Sequence, residues 1–415
     1  AATAQLGAGV EVAGAGGATA TAFVYGGVAF LESEAVGDGS VEVRGRSYAL
    51  PGGISLVNLT DGSTLFNSRT AGAPPAERRR ITPLGGAQLA WTQWAEPILS
   101  SAVPHGAYPA GAVVNGPQPR DMTNFTLALA AVAGDPSARS RRTTFALYET
   151  RLARRGAQLT VGSTQAMAVA AFVDGAYAGA AHDLTHGDGR SVDLTIDLAS
   201  AREVEEPDAE GATLTLLAEE LGYANYGFKG RLEKGVVGTV SIDGNASAVG
   251  AGGWHMRGGL AGEQLELFTD AGAARVKWAD ARSATHPATW YRTTFTTPSA
   301  VAAGGARLLF NASGLNRGRI WINGYDAGRF YLKPRNDASQ CPEGASACAT
   351  QTLYYLPKAW LSAPGTENVL TIFEAGGIGA VGGSLPHAGL ALASMQAGSG
   401  EAGGDVLGSV TSCEF

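Results

Sequence analysis

"RIWINGYDAGRF", residues 319–330, decides how this chain is read. Arg319-Ile320-Trp321-Ile322 has the β-branched and aromatic composition of a buried strand. Asn323-Gly324 then interrupts it. Both residues tolerate positive φ, so this dipeptide between apolar runs predicts a two-residue hairpin turn. The chain resumes past Gly328 with Arg329, Phe330 and Tyr331. The same pattern stands earlier, in "AFVDGAYAGA" at 171–180, where Phe172-Val173-Asp174-Gly175 and Gly179 answer Trp321-Ile322-Asn323-Gly324 and Gly328. A similar apolar strand follows each copy, "ATLTLLAEE" at 212–220 and "NVLTIFEAGG" at 368–377. Two copies of one β-unit produce this recurrence, so two related β-domains in tandem are expected.

The rest of the chain agrees with an all-β architecture. Helical periodicity is scarce, while short runs such as "SYALPGGISLVNL", "TFALYETRL", "SVDLTIDL", "GTVSIDG", "ARLLFNASG" and "TLYYLP" recur between Gly, Pro, Asn and Asp turns. That spacing predicts β-sandwiches. A chain of 415 residues has room for roughly two to four domains. A small antiparallel β-domain is expected over 1–85, closing in "AGAPPAERRRITPLGG". A first sandwich is expected over 86–285, a second over 286–395, and a Gly/Ser-rich flexible tail over 396–415.

Composition narrows the function. Charged residues make up 16% of the chain, against about 25% in ordinary domains. The net charge of −7 is spread out, and the one basic run, "ERRRI" at 77–81, is short, so no nucleic-acid partner is expected. No apolar run reaches the roughly eighteen residues of a membrane span. The start, "AATAQLGAGVEVAG", lacks the basic and apolar regions of a signal peptide and reads as an already processed terminus.

Asn58, Asn124, Asn245 and Asn311 each open an N-x-S/T sequon, and together they point to the secretory pathway. Cys341 and Cys348, in "QCPEGASAC", either close a small disulfide in an oxidising compartment or remain free thiols. Cys413 is left over, as a free thiol or as a link to another chain.

Serine-hydrolase, zincin, P-loop and zinc-ribbon motifs are all missing. His182 and His186 in "HDLTHGDG" have i, i+4 spacing, but Asp and Gly around them predict a loop that would not hold that geometry. "HGDGRSVD" lacks the ordered ligand spacing of a calcium loop. No metal and no cofactor are expected.

Read in order, "RGRSYALPGGISLVNLTDGSTLFNS" (44–68), "WHMRGGLAGE" (254–263), "ATWYRTTFTTP" (288–298), "GLNRGRIWINGYDAGRF" (314–330) and "TLYYLPKAWL" (352–361) with "NVLTIFE" resemble the non-catalytic part of family 35 glycoside hydrolases, the β-galactosidases, and the plant-type members most of all. The likeness runs collinearly from about residue 5 to 395. It implies a small antiparallel domain followed by two galactose-binding-like jelly-roll sandwiches. One local departure is Gly53-Ile54, where the family has Trp-Ser.

Family 35 enzymes carry their two catalytic glutamates on a (β/α)8 barrel, the acid/base one after an asparagine. This chain has no Asn-Glu dipeptide and no alternating strand-helix region. Retaining hydrolysis needs two carboxyl groups about 5–5.5 Å apart on rigid supports. The resemblance therefore implies a β-galactosidase subunit without its own catalytic pair. It would be cut from a longer precursor, be secreted to the cell wall or held in a lysosome or vacuole, and partner a barrel chain acting on terminal β-D-galactosides. The alternative is a non-catalytic secreted carbohydrate-binding or structural glycoprotein of the same descent.

"EELGYANYGFKGRLEKGVVG" (219–238) is similar to the family's Asn-Tyr-Gly loop, which implies that Tyr226, with Asn225 beside it, leans into the galactose pocket. The alternative is a corner tyrosine of its own sandwich. For Trp321, Phe330 and Tyr331 a buried core and a sugar-stacking platform are both open, with the core favoured. Arg329 is expected to meet an acidic neighbour at an interface.

Overall fold

The computed structural model describes residues 9–15, 19–33, 39–71, 77–84, 89–109, 112–124, 126–127, 141–142, 144–184, 190–198, 211–222, 233–281, 287–332, 351–376 and 388–397. Nearly all of them are strands and tight turns. The described residues up to Arg79 fall into one compact unit and those from Arg80 to Ser394 into another.

The first unit is one antiparallel sheet of seven strands, in the order Arg46–Leu50, Gly39–Val43, Val10–Ala15, Thr19–Tyr25, Val28–Ser33, Gly53–Asn58 and Thr64–Asn67. Alternation puts Ala22, Leu31, Val57 and Tyr48 on a buried face. The Tyr48 hydroxyl donates to the Asn58 carbonyl at 3.0 Å. On the opposite face Phe23, Phe30, Leu56 and Phe66 stand directly across from one another over four strands. Phe30 and Phe66 are 41% and 51% exposed there.

The second unit holds two jelly-roll sandwiches. In the first, a six-stranded sheet (Val113–Gly116, Val249–Gly258, Phe145–Leu152, Ala212–Glu220, Met167–Val173, Ala176–Asp183) covers a three-stranded one (Ser191–Asp197, Gln158–Thr164, Val240–Ile242). In the second, a six-stranded sheet (Ala279–Asp280, Thr92–Ala95, Thr289–Thr296, Glu367–Glu374, Arg317–Ile322, Tyr325–Tyr331) covers a four-stranded one (Leu353–Leu356, Arg307–Asn311, Gly389–Ala397, Glu77–Pro83).

The repeat seen in the sequence is a repeat in space. Asn323 and Gly324 take φ of 49° and 83°, and Asp174 and Gly175 take 50° and 82°, as the two-residue turn requires. Each turn is tied to the matching neighbour strand. Asn323 donates its N–H to the Val369 carbonyl at 2.9 Å and accepts the Val369 N–H on Oδ1 at 2.8 Å. Asp174 does the same to Thr213, at 2.8 and 2.7 Å. A register shift falls at the equivalent step of both hairpins, between Ile320 and Trp321 and between Ala171 and Phe172.

The central strands of the two large sheets are largely apolar on both faces because both faces are buried. Ile320 and Ile322 enter the core of their own sandwich, while Trp321 enters a separate core shared by the two sandwiches. In the other copy Val173 faces its own core and Phe172 faces the shared one. The shared core is an aromatic stack. Trp321 lies 5.2 Å from Phe268 and 5.1 Å from Trp290, and Phe373 lies 5.1 Å from Trp290 and 5.2 Å from Phe145. Such pairs add roughly 0.5–1.5 kcal/mol each beyond the area they bury. At Gly262 an added Cβ would sit 2.3 Å from the Trp290 ring, so the helical turn Ala261–Gln264 can close over the indole only without a side chain there.

Arg317 and the two arginines of the opening stretch, Arg319 and Arg329, make the polar contacts beside this core. Arg317 Nε donates to Glu219 at 2.8 Å, Arg319 donates to the Thr144 hydroxyl at 3.0 Å and pairs with Asp326, and Arg329 reaches Glu220 at 3.1 Å. Glu219 and Glu220 belong to the other sandwich, so the acidic neighbour expected for Arg329 is Glu220.

The boundaries drawn at 85/86 and 285/286 need correcting. Thr92–Ala95 and Ala279–Asp280 are strands of the second sandwich's sheet, and Trp91 lies in its core. The first sandwich is thus inserted between a leading and a returning strand of the second. "AWTQWAEPIL" is the leading strand, fixed by Trp94 opposite Trp290, a pairing that composition cannot show. The last strand continues to Ala397, past 395. The remainder of the expected tail lies outside the described residues.

Replacing Arg317 by Leu leaves the Glu219 carboxylate buried without its partner and is expected to cost roughly 3–5 kcal/mol in urea denaturation. Replacing both residues by Leu should recover most of that loss; a double variant no more stable than the single one would refute the pairing as described. Glu263, buried with the Leu260 N–H donating to it at 3.0 Å, has its pKa raised by burial from 4.5 to about 7. A raised folded-state pKa gives stability below the unfolded value that is lost as pH climbs through the folded one. The second unit should therefore lose up to about 3 kcal/mol between about pH 4.5 and pH 7 from this group. The slope of Tm against pH should flatten in Glu263→Gln.

Candidate functional site

Titratable groups gather in two kinds of place. The first is sealed. Burial raises the pKa values of Glu96, Glu219, Glu263 and Glu374, that of Glu374 to about 8. Perturbed carboxyls often mark active sites, but none of these is more than 5% exposed. Glu96, Glu263 and Glu374 tie backbone or indole N–H groups instead, and Glu219 accepts from Arg317 Nε. Glu96 accepts from Ala261 N at 2.5 Å, Gly262 N at 3.1 Å and Trp290 Nε1 at 2.9 Å. Glu374 accepts from Asn316 N at 2.8 Å and Gly376 N at 2.9 Å. Glu219 links the two sandwiches through Arg317, Glu96 ties the turn at Ala261 and Gly262 to Trp290, Glu263 and Glu374 brace nearby backbone, and all four are closed to any substrate.

The second place is open. A cleft of about 890 Å³ lies on the outer face of the first sandwich's large sheet. Its floor is a cross-strand row of Asn115, His255 and Glu149 from three adjacent strands. One wall is the turn Leu99-Ser100-Ser101; the other is the strand Gly250-Ala251-Gly252-Gly253. Glu149 accepts the Ser100 N–H at 2.6 Å and its hydroxyl at 2.5 Å. His255 Nδ1 lies 2.7 Å from Asn115 Oδ1. An amide oxygen only accepts, so Nδ1 carries the proton. Burial lowers the imidazole pKa, opposed by the charge of Glu149, so the ring is neutral at neutral pH with Nε2 as an acceptor. Arg151 lines the same cleft, exposed at its rim. None of these four polar residues was singled out from sequence, because only strand register makes them neighbours.

The residues expected to form sites are scattered. Asn225 and Tyr226 lie outside the described residues, as do Cys341, Cys348, Cys413 and His186, and the side chain of Asn124. Asn58 is half-buried, with Nδ2 on Asp61 at 3.0 Å. Asn245 is exposed, and its Oδ1 accepts from Ser247. Asn311 is 5% exposed with Oδ1 on Ser313, which leaves a glycan less room than at Asn58 or Asn245. His182 lies on the strand Ala176–Asp183, its ring edge-on to Tyr331 at 6.3 Å. Trp321 and Phe330 are 4% and 1% exposed, so they are core and not a stacking platform. The exposed aromatic of that region is Tyr325, stacked on Trp360 at 5.4 Å. Among the described residues no three His, Cys, Asp or Glu side chains gather into a metal-holding group, and no helix is long and apolar enough to cross a membrane.

Comparison with known proteins places this architecture. Residues 288–368, within the second sandwich, match the family model "Beta-galactosidase, galactose-binding domain". Among curated proteins, Beta-galactosidase 8 of Arabidopsis thaliana is 28% identical over 81% of this chain and 39% of its own length. Beta-galactosidase 14 of the same plant is 28% identical over 50% of this chain and 21% of its own. Beta-galactosidase 7 of Oryza sativa subsp. japonica is 31% identical over 29% and 14%. The chain thus spans well under half the length of these relatives. A lectin from Pleurotus ostreatus in complex with GalNAc aligns with a TM-score of 0.14 at 14% identity, over 69% of this chain and 83% of that one, too loosely to bear on the fold. On the strength of the family model and the plant relatives, the chain is related to the C-terminal, all-β portion of plant-type family 35 β-galactosidases.

Proposed function

We propose that this chain is the non-catalytic β-sandwich part of a β-galactosidase. It frames the pocket of a (β/α)8 barrel chain from the same precursor, and that barrel hydrolyses terminal β-D-galactosides with retention. The observation that carries the reading is the match to Arabidopsis Beta-galactosidase 8, which takes up 81% of this chain but only 39% of that enzyme. The carboxyls support it: Glu96, Glu219, Glu263 and Glu374 are all buried and spent on holding backbone, indole or guanidinium N–H groups of the fold. A rigid double sandwich suits a frame. Tyr226 would pack its ring on the apolar face of galactose and hydrogen-bond through its hydroxyl, with Asn225 beside it. Secretion, with glycans at Asn58, Asn124, Asn245 or Asn311 and a disulfide between Cys341 and Cys348, belongs to the same proposal.

A second reading, a structural or carbohydrate-binding extracellular glycoprotein of the same descent, is favoured by one observation. The row Phe23, Phe30, Leu56 and Phe66 on the first unit is the kind of apolar surface that marks an interface. Both readings are tested by one assay. The purified chain should not hydrolyse a chromogenic β-galactoside, while a complex from the native source containing a barrel polypeptide should. In that complex Tyr226→Ala should raise KM roughly tenfold, with Tyr226→Phe in between. Hydrolysis by the chain alone, or a native preparation containing this chain as a monomer with no barrel, would overturn the proposal.

A further inference from the structure

The cleft beside the sandwich interface is built unlike the rest of its sheet face. Asn115, His255, Glu149, Thr215 and Phe172 stand in one cross-strand row. The Phe172 end is covered by the second sandwich, while the Asn115 end opens into the cleft. The next row, Arg257, Leu147, Leu217 and Ala170, is fully buried, with Arg257 donating to the Pro97 and Ile98 carbonyls. The polar groups are therefore gathered where the sheet is open, and they are oriented: Ser100 fixes the Glu149 carboxylate and Asn115 fixes the His255 ring.

Their chemistry is balanced. Glu149 carries one negative charge and Arg151 one positive, and the imidazole is neutral, so the cleft is matched to an uncharged ligand. Two acceptors, His255 Nε2 and the Glu149 carboxylate, stand beside two donors, the Asn115 amide and the Arg151 guanidinium. Adjacent hydroxyl groups, each both donor and acceptor, satisfy such an alternation. The strand with Gly250, Gly252 and Gly253 puts almost no side chain into the space, and a volume of about 890 Å³ is within the usual range of small-ligand sites.

We propose that this cleft binds a neutral saccharide, whose hydroxyls are held by Asn115, Glu149, Arg151 and His255. It is a second sugar site, independent of any barrel pocket, and it needs only this chain.

The test is a titration of the full chain with D-galactose and with a neutral β-galactan oligosaccharide. Binding is read by saturation-transfer NMR on the sugar and by the His255 ring resonances, which are assigned by their loss in His255→Ala. Saturable binding that shifts the His255 signal is expected, together with a roughly fivefold to tenfold weakening in Asn115→Ala. D-Galacturonate, which is anionic, should bind more weakly than galactose. The proposal is overturned if no neutral sugar binds saturably at millimolar concentration, if the His255 resonances stay still, or if a folded Asn115→Ala binds like the unaltered chain. Should that variant fail to fold, the His255 shift in the unaltered chain decides. Because no barrel is present, failure here leaves the hydrolysis proposal standing, and failure of hydrolysis leaves this one standing.

Discussion

The burial of Trp290, Trp321 and Phe373 against Phe145 and Phe268 is the contact on which the second unit depends. A jelly-roll sandwich normally buries one face of each sheet and leaves the other to water. Here the outer faces of two large sheets are pressed together, so the unit has three apolar cores where two sandwiches alone would have two. The central strands then have no solvent face. Met167–Val173 is buried at every residue, which is why its sequence runs Met-Ala-Val-Ala-Ala-Phe-Val without a polar alternate.

An apolar contact of this size does not fix orientation by itself, since aromatic faces can slide over one another. The polar groups around it supply direction. Glu96 follows the strand Thr92–Ala95 ahead of the first sandwich and binds the indole of Trp290 together with the backbone of Ala261 and Gly262 beyond that sandwich, so one carboxylate holds three segments. Arg317 and Glu219 form a buried pair across the two sandwiches. Such pairs add little net stability compared with an apolar replacement but heavily penalise any arrangement that separates them. Their role is thus to select one docking geometry among several of similar apolar area.

The parts of this arrangement that depend on neighbouring residues could be read from the chain. Asn323-Gly324 and Asp174-Gly175 demand positive φ, and the tight turn follows at both. The duplication was visible because each copy keeps its aromatic, its turn and its downstream strand. What depends on distant pairing was not visible. Thr92–Ala95 looks like the opening of the first sandwich and is a strand of the second, since the residues it pairs with lie some two hundred positions on. An acidic neighbour is expected for Arg329 from the chain alone, but that Arg317, Arg319 and Arg329 face the same way as Trp321 follows only once alternation along one strand and register with the next are known. The cleft was hidden for the same reason, because Asn115, Glu149 and His255 come from three strands far apart in the chain.

One sheet face serves both purposes. Along the row from Phe172 through Thr215 and Glu149 to His255 and Asn115, the side chains pass from an aromatic core to an open cleft within five residues of lateral register. The second sandwich covers only part of the face. Beyond its edge the sheet must carry polar groups, and a rigid sheet holds them in fixed positions at almost no further entropic cost. The contact that locks the two sandwiches therefore also sets where the open ground begins and how firmly its polar groups are held. This couples the two. Loosening the aromatic stack would be felt at Glu149 through the strand Phe145–Leu152, which has Phe145 in the shared core and Glu149 in the cleft, four residues apart on the same side of one strand.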